Sequence, residues 1–172
     1  SHLLAWQKCV ELGKPIQVME DDFVLLDGFM DAIQLGQEII DDYGYIRFQT
    51  TERSKAVPEK SFGMFQLVKY TKAPQSLNCY AIAPGVAERF VALSDTFCYP
   101  VDVFVRHFCF HKMPLYGLTP YVTHEGELAN ESIIGKRVKV KKSFPIRMQR
   151  FFHKMKIMIL TALENMKYRR GQ

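Results

Sequence analysis

The stretch IQVMEDDFVL, residues 16–25, joins a short apolar run to three consecutive carboxylates. The first four residues are typical of a buried strand, and Glu20, Asp21 and Asp22 follow that strand directly. Three adjacent anions repel one another, and a bound cation would remove that repulsion. The stretch therefore predicts a strand with an acidic loop at its carboxyl end, which either binds a cation or caps the next helix.

Strands and helices alternate around this stretch. Strands are expected at residues 16–19, 43–50, 61–70 and 78–83, helices at 2–13, 28–40, 84–93 and 100–112, an extended segment at 115–124 and a polar loop at 51–60. This alternation predicts an α/β fold with helices on both faces of a sheet. In open sheets of this class, ligands bind beyond the carboxyl ends of the strands, which is where the acidic loop would lie.

Composition narrows the class of protein further. Apolar residues make up 48% of the 172 residues, which is enough for a packed core and excludes a disordered chain. The longest apolar runs fall well short of the roughly 20 residues that a membrane-spanning helix needs. The four cysteines are scattered without a CxxC pair, which favours free buried thiols over a metal or disulfide framework.

Charge divides the chain into two parts. Residues 1–135 contain 11 basic and 17 acidic side chains, whereas residues 136–172 contain 12 basic side chains and one acidic side chain. Behind a basic linker at 136–145, one helix face would carry apolar residues and another would carry cations: Met148, Phe151, Phe152, Met155, Ile159, Ala162, Leu163 and Met166 against Arg147, Arg150 and Lys154. We therefore predict two domains, 1–135 and 136–172, the second a basic amphipathic helix.

Four segments together resemble one known family. They are SHLLAWQK (1–8) with VMEDDFVL (18–25), YAIAPGVAERFVAL (80–93), PVDVFVRHFC (100–109) and PYVTHEGELANESII (120–134). In this order they resemble glycosyltransferase family 25, the lipopolysaccharide and lipooligosaccharide core galactosyltransferases of Gram-negative bacteria, over about residues 1–135. The resemblance implies a GT-A-like mixed sheet flanked by helices. Family members carry further sequence before the Ser-His-Leu helix, so it also implies that this chain lacks the first strands of that fold.

The resemblance implies transfer of a hexose, galactose, from a UDP-sugar to a glycan hydroxyl, with inversion at the sugar carbon. The departing UDP gains negative charge, which Mn²⁺ or Mg²⁺ bound to the diphosphate would offset as a Lewis acid. By analogy with GT-A enzymes, Asp22 would be the direct metal ligand. Glu20 would lie near the ribose or a metal-bound water, and Asp21 would support the loop.

The resemblance also suggests further catalytic and metal-binding residues. Inversion in one displacement needs a base that takes the acceptor proton, and Asp102 is the candidate. Alternatively, Asp102 is the N-cap of a helix that begins near Val103. Asp95 is a second candidate base, more typical of a turn. His124 would either complete the metal site or lie on a surface loop.

Three histidines and one tyrosine are further candidates for the site. His2 could reach the diphosphate or cap the first helix, and Tyr80 could line the sugar pocket or simply pack. His107 and His111 are four residues apart, a spacing that can bind zinc on a helix. No glutamate lies between them and aromatic residues surround them, so we assign both to the core or its rim.

The acceptor of this family is a lipid-linked glycan at the cytoplasmic face of the inner membrane. The basic segment 136–172 would hold the enzyme on that surface as a peripheral protein, or its apolar face would pack on the body. Nucleic-acid binding is not expected, because this segment has few aromatic residues and no known motif. The alternative function is a catalytically inactive membrane-surface binding module of the same fold. A phosphoryl-transfer enzyme would need a second carboxylate cluster.

Overall fold

The computed structural model describes residues 2–21, 23–49, 54–94, 99–126 and 143–170. It divides the chain into two compact units, Ser1–Gly126 and Glu127–Gln172. The predicted domain boundary, between residues 135 and 136, lies outside the described residues.

In its described part, the first unit alternates helices and strands as the sequence predicts. They are α1 (His2–Leu12), β1 (Ile16–Met19), β2 (Phe23–Leu25), α2 (Phe29–Tyr43), β3 (Tyr45–Arg47), β4 (Lys55–Phe62), β5 (Phe65–Lys72), β6 (Cys79–Ile82), α3 (Pro84–Ala92), α4 (Val101–Arg106), α5 (Phe108–His111), β7 (Tyr116–Thr119) and β8 (Thr123–Glu125). The second unit contains the helix α6 (Phe144–Arg170). Across the described ranges, no helix is both long enough and apolar enough to cross a membrane.

Six strands form one mixed sheet in the order β1-β6-β3-β7-β5-β4. Strands β3 and β7 pair in parallel, and the other neighbours pair antiparallel. Strands β2 and β8 form a separate antiparallel pair. The predicted α/β fold, with a mixed sheet flanked by helices and a C-terminal helix, is confirmed.

Helices cover both faces of the sheet because its central strands alternate large side chains between the faces. On one face, Tyr45, Tyr80 and Ile82 pack against residues of α1, α3, α4 and α5, among them Trp6, Phe90 and Phe104. On the other face, α2 packs through Ala32, Ile39 and Ile40 against Ile46, Phe48 and Ala81. Cys9, Cys79 and Cys109 are buried free thiols, as predicted, and Cys98 lies outside the described residues.

Two predictions along the β4–β5 hairpin are wrong. Residues 55–60 were expected in a polar loop and instead belong to β4, while the strand expected at 61–70 contains the hairpin turn, where Gly63 has a φ of +58°. Strand β4 is the edge of the sheet and is mostly exposed, so Lys55, Lys60 and Ser61 remain in contact with solvent. It also contains Pro58 beside a register shift, which an edge strand tolerates.

Two further predictions need correction. The single helix expected at 100–112 is interrupted at His107, whose φ of −91° and ψ of 69° are not helical, so α4 and α5 are separate. Strand β1 was expected to be buried, but it is only partly buried because it forms the second edge of the sheet.

Candidate functional site

The acidic triplet leaves the sheet at the carboxyl end of β1. The backbone N–H of Glu20 donates to the carbonyl oxygen of Asn78 at 2.8 Å, which extends the β1–β6 pairing by one residue. Asp21 is exposed and follows directly. Asp22 lies outside the described residues, and β2 begins at the residue after it. The described part of the triplet is therefore attached to the edge of the sheet through backbone hydrogen bonding.

Strand β8 brings His124 next to the segment that follows the triplet. His124 is exposed and pairs with Val24 of β2, two positions beyond Asp22 in the sequence. The residues with described positions, which leave out Asp22, contain no group of three His, Cys, Asp or Glu side chains that could hold a metal. The assignment of Asp22, Glu20 and His124 as metal ligands stays a prediction.

A chain of hydrogen bonds connects three of the predicted site residues. His2 Nε2 lies 3.0 Å from Glu20 Oε1, and His2 Nδ1 lies 3.0 Å from the hydroxyl of Tyr80. The same hydroxyl accepts a hydrogen bond from Trp6 Nε1 at 2.9 Å. The structure therefore brings together His2, Glu20 and Tyr80, which lie on α1, after β1 and on β6.

For the neutral imidazole, the donors and acceptors of this chain select one tautomer of His2, because the Glu20 carboxylate can only accept a hydrogen bond. Burial raises the pKa of Tyr80 far above its usual range, so its hydroxyl stays protonated. The Trp6 indole can only donate, so the Tyr80 oxygen accepts from Trp6 and its O–H donates to His2 Nδ1. His2 Nε2–H then donates to the Glu20 carboxylate. Both ring nitrogens of His2 thus have partners, and the ring orients Glu20.

Trp6 belongs to this chain of hydrogen bonds, although it was not predicted to be a site residue. The signal was present, because Trp6 follows His2 by four residues and therefore shares its face of α1. Trp6 is fully buried against Phe90, with the ring centroids 5.0 Å apart. The helix that carries His2 is thereby fixed to the core.

Asp102 lies in the first turn of α4, which begins at Val101 after an N-cap at Pro100. The interpretation of Asp102 as an N-cap is therefore wrong, because the helix starts one residue before it. Its Oδ2 atom accepts a hydrogen bond from Gln75 Nε2 at 2.8 Å, and Gln75 Oε1 accepts one from Arg106 at 3.3 Å. Asp95, the second candidate base, lies outside the described residues.

A buried polar cluster beside the triplet was not predicted from the sequence. Arg47 and Gln49 are only 2% and 1% exposed, and they hydrogen-bond to each other and to Ser76. The backbone N–H of Asn78 also donates to Gln49 Oε1 at 3.1 Å. The available signal was the alternation of polar and apolar residues in YIRFQ (45–49), which predicts a strand with Arg47 and Gln49 on one face but does not indicate that this face is buried.

The two histidines of residues 100–112, a segment expected to form one helix, lie in different environments. His107 is the C-cap of α4, whereas His111 is fully buried in α5. Burial lowers the pKa of His111 to about 4. The assignment of His111 to the core is confirmed, and because α4 and α5 are separate helices, the two histidines do not lie on one continuous helix.

The mixed sheet with carboxylates after its edge strand is consistent with an α/β glycosyltransferase-like fold. The sequence model of glycosyltransferase family 25, described as an LPS biosynthesis protein, matches residues 1–105, more than half of the chain. The chain therefore belongs to glycosyltransferase family 25. A search of curated proteins returned no match to it.

Family membership makes the protein a glycosyltransferase of lipopolysaccharide biosynthesis, with a sugar donor and a glycan acceptor. The matched range includes His2, the acidic triplet, Tyr80 and Asp102. The match ends before the segment 120–134, which contains His124 and also resembles the family.

Proposed function

We propose that the protein transfers galactose from a UDP-sugar to a hydroxyl of a lipopolysaccharide or lipooligosaccharide glycan, with inversion and with the help of a divalent cation. The observation that carries this proposal is the family match over residues 1–105, which includes both the acidic triplet and Asp102. The hydrogen-bonded chain from Trp6 to Glu20 supports it, because it gives the triplet a fixed support at the sheet edge.

The donor set near the triplet fits Mn²⁺ or Mg²⁺ chemically. Asp22 and Glu20 would supply carboxylate oxygens, which are the preferred ligands of these cations, and His124 would supply an imidazole. A cation held there would stabilise the negative charge on the departing UDP as a Lewis acid. Asp21, exposed beside Glu20, would support the loop.

The chain's own residues would orient the donor and accept a proton. Glu20 accepts the Nε2–H of His2 and remains 39% exposed, so its carboxylate is accessible to a ribose hydroxyl. His2 and Tyr80 would act on the donor through the position of Glu20. Asp102, oriented by Gln75, would take the proton of the acceptor hydroxyl on the face opposite UDP.

The acceptor proposed here is a lipid-linked glycan, so the enzyme would work as a peripheral protein on the cytoplasmic side of the inner membrane. Residues 136–172 contain 12 basic side chains and one acidic side chain, and this positive charge supports attraction to an anionic lipid surface. We propose no nucleic-acid partner for this segment.

Transfer from UDP-galactose to a lipooligosaccharide acceptor tests the proposal. We expect turnover with Mn²⁺ or Mg²⁺ and none after chelation, since the leaving group needs the cation. Asp22→Asn removes one charge without changing shape, and it should lower turnover by roughly 100-fold or more. Asp27→Asn, an exposed aspartate five positions later, is the matched control and should keep full activity.

Several outcomes would contradict parts of this proposal. Metal-independent turnover, or full activity of Asp22→Asn, would exclude the metal role of the triplet. An α-linked product, identified by the anomeric proton coupling in NMR, would exclude inversion from an α-linked donor. Vesicle binding without turnover of any UDP-sugar would favour the alternative of an inactive membrane-surface module.

A further inference from the structure

The segment of residues 75–78 hydrogen-bonds to the side chain of Asp102 and to the backbone of Glu20, two residues of the proposed mechanism. At its start, Gln75 Nε2 donates to Asp102 Oδ2 at 2.8 Å. At its end, the carbonyl oxygen of Asn78 accepts the backbone N–H of Glu20 at 2.8 Å. The conformation of the 75–78 segment therefore influences how far Asp102 lies from the acidic triplet.

Two buried side chains, one at the end of β3 and one two residues beyond it, hold this segment in place. Arg47 donates one guanidinium N–H to the carbonyl oxygen of Ser76 and another to Gln49 Oε1 at 3.1 Å. Gln49 Nε2 donates to Ser76 Oγ at 3.1 Å, and Gln49 Oε1 accepts the backbone N–H of Asn78 at 3.1 Å. The backbone of the segment is thus hydrogen-bonded at two residues to one polar cluster.

The backbone of Ser76 shows that this anchoring enforces a particular conformation. Its φ of +77° lies in the left-handed region, which residues other than glycine rarely adopt. Such a conformation persists where the surrounding structure over-determines it, and it is concentrated at functional sites. The hydrogen bonds from Arg47 and Gln49 to Ser76 supply that constraint.

A buried arginine is an uncommon residue in a role that is only structural. Its side chain is only 2% exposed, and within the described ranges none of the ion pairs includes it. Burying a guanidinium is costly even when it is hydrogen-bonded, and apolar residues often fill such a space at a lower cost. What the guanidinium adds is a rigid fork that fixes two acceptors in one geometry, which lysine cannot reproduce.

We propose that Arg47 is a positioning residue for the transfer reaction. Through the 75–78 segment it holds Asp102 and the Glu20 end of the acidic triplet at the separation that an in-line displacement needs. This inference rests on the proposed function, because Glu20 and Asp102 have roles in the displacement only if the protein transfers a sugar.

A double-mutant cycle on the full chain tests this positioning role, with Gln75→Glu and Arg47→Lys as its single variants. A carboxylate at position 75 cannot donate to Asp102, so we expect Gln75→Glu to lower kcat by roughly 10- to 100-fold. KM for the UDP-sugar and calorimetric binding of UDP with Mn²⁺ should not change, because the hydrogen bonds of Gln75 go to Asp102, the candidate base, and to Arg106. The matched control, Gln37→Glu on the exposed face of α2, should leave kcat unchanged.

Arg47→Lys keeps the charge and loses the fork. It should lower kcat and also weaken UDP binding, because both ends of the 75–78 segment are released. In the Arg47→Lys background, Gln75→Glu should cost less than threefold in kcat, since the two residues act through one segment. If Arg47→Lys fails to fold, as judged by its melting curve, Gln49→Ala takes its place in the cycle with the same expectation.

The outcomes separate this inference from the proposed function. If the wild-type protein is active but the two kcat losses multiply independently, or if Arg47→Lys keeps full activity, the positioning role is overturned and the proposed function stands. If the wild-type protein transfers no sugar, both are overturned.

Discussion

The ring of His111 lies fully buried among aromatic side chains, with its centroid 4.6 Å from that of Phe90. Its Nε2–H donates to the carbonyl oxygen of Val105 at 2.9 Å, and its Nδ1 accepts the backbone N–H of Met113 at 3.2 Å. Both hydrogen bonds suit the neutral ring, and burial lowers the pKa to about 4. This single residue therefore makes the stability of the fold sensitive to acid.

We expect the free energy of unfolding to fall as the pH drops from about 6.5, where an unfolded histidine titrates, to about 4, where the folded one does. The sign follows because the unfolded state binds the proton first, so protonation favours unfolding within this window. His111 contributes a loss of about 3 kcal/mol across it, and none above it. Urea denaturation at a series of pH values, followed by the fluorescence of Trp6, measures the effect.

A glutamine at position 111 provides the control, because it can donate and accept hydrogen bonds but does not titrate. His111→Gln should be less stable than the wild type at neutral pH, and the gap should narrow as the pH falls towards 4. A constant gap for His111→Gln would contradict the assignment.

At the scale of one element, α2 approaches the sheet closely at Gly36. A Cβ atom there would lie 2.5 Å from Cζ and 2.9 Å from Cε1 of Phe48. Phe48 is fully buried beneath the helix and has little room to move. Glycine thus permits a helix-to-sheet distance that any larger residue would increase.

Gly36→Ala should therefore lower the free energy of unfolding, although alanine is the better helix former by about 1 kcal/mol. Overpacking in a filled core costs about 1–3 kcal/mol, which outweighs that gain. Gly85→Ala in α3 is the matched control, because a Cβ at Gly85 meets no atom within 4 Å. That variant should be as stable as the wild type or more so, with urea midpoints as the measurement. Equal stabilisation by both variants would contradict the close approach at Gly36.

At the scale of the whole molecule, the chain separates its charges by region. Residues 1–135 carry a net charge of −6 and residues 136–172 a net charge of +11, counting Lys, Arg, Asp and Glu. On α6, Arg147, Arg150 and Lys154 are exposed, as are the large apolar residues Phe151 and Phe152. This combination is the physical basis for the proposed membrane-surface role.

Changing Arg147, Arg150 and Lys154 to glutamine should weaken binding to anionic vesicles by roughly 100-fold, because each lost charge removes about 1 kcal/mol of attraction. Binding to neutral vesicles should change little. The matched control replaces three exposed lysines of the β4–β5 hairpin, Lys55, Lys60 and Lys72, by glutamine and so removes the same charge. Co-sedimentation with vesicles measures both. Equal weakening by the two triple variants would show that total charge, and not α6, drives binding.

Much of the fold could be predicted from the sequence because the signals were local. The spacing of Leu3, Trp6 and Val10 predicted α1, and the run IQVM followed by three carboxylates predicted β1 and the acidic loop. Wrong predictions arose where environment overrides local pattern. Lys55 and Lys60 are typical of a loop, but they lie on an edge strand at positions that are exposed to solvent.

The candidate site also has features that could be predicted from the sequence and features that could not. Local sequence patterns predicted the α/β class, and the four quoted segments predicted the family and the residue types from which a donor site would be built. The packing of distant segments shows that β6 returns beside β1, so that Tyr80 meets His2 across 78 residues of sequence, and that Arg47 is buried against Ser76. Helix and strand patterns follow from neighbours a few residues apart, whereas such contacts depend on which distant segments pack together.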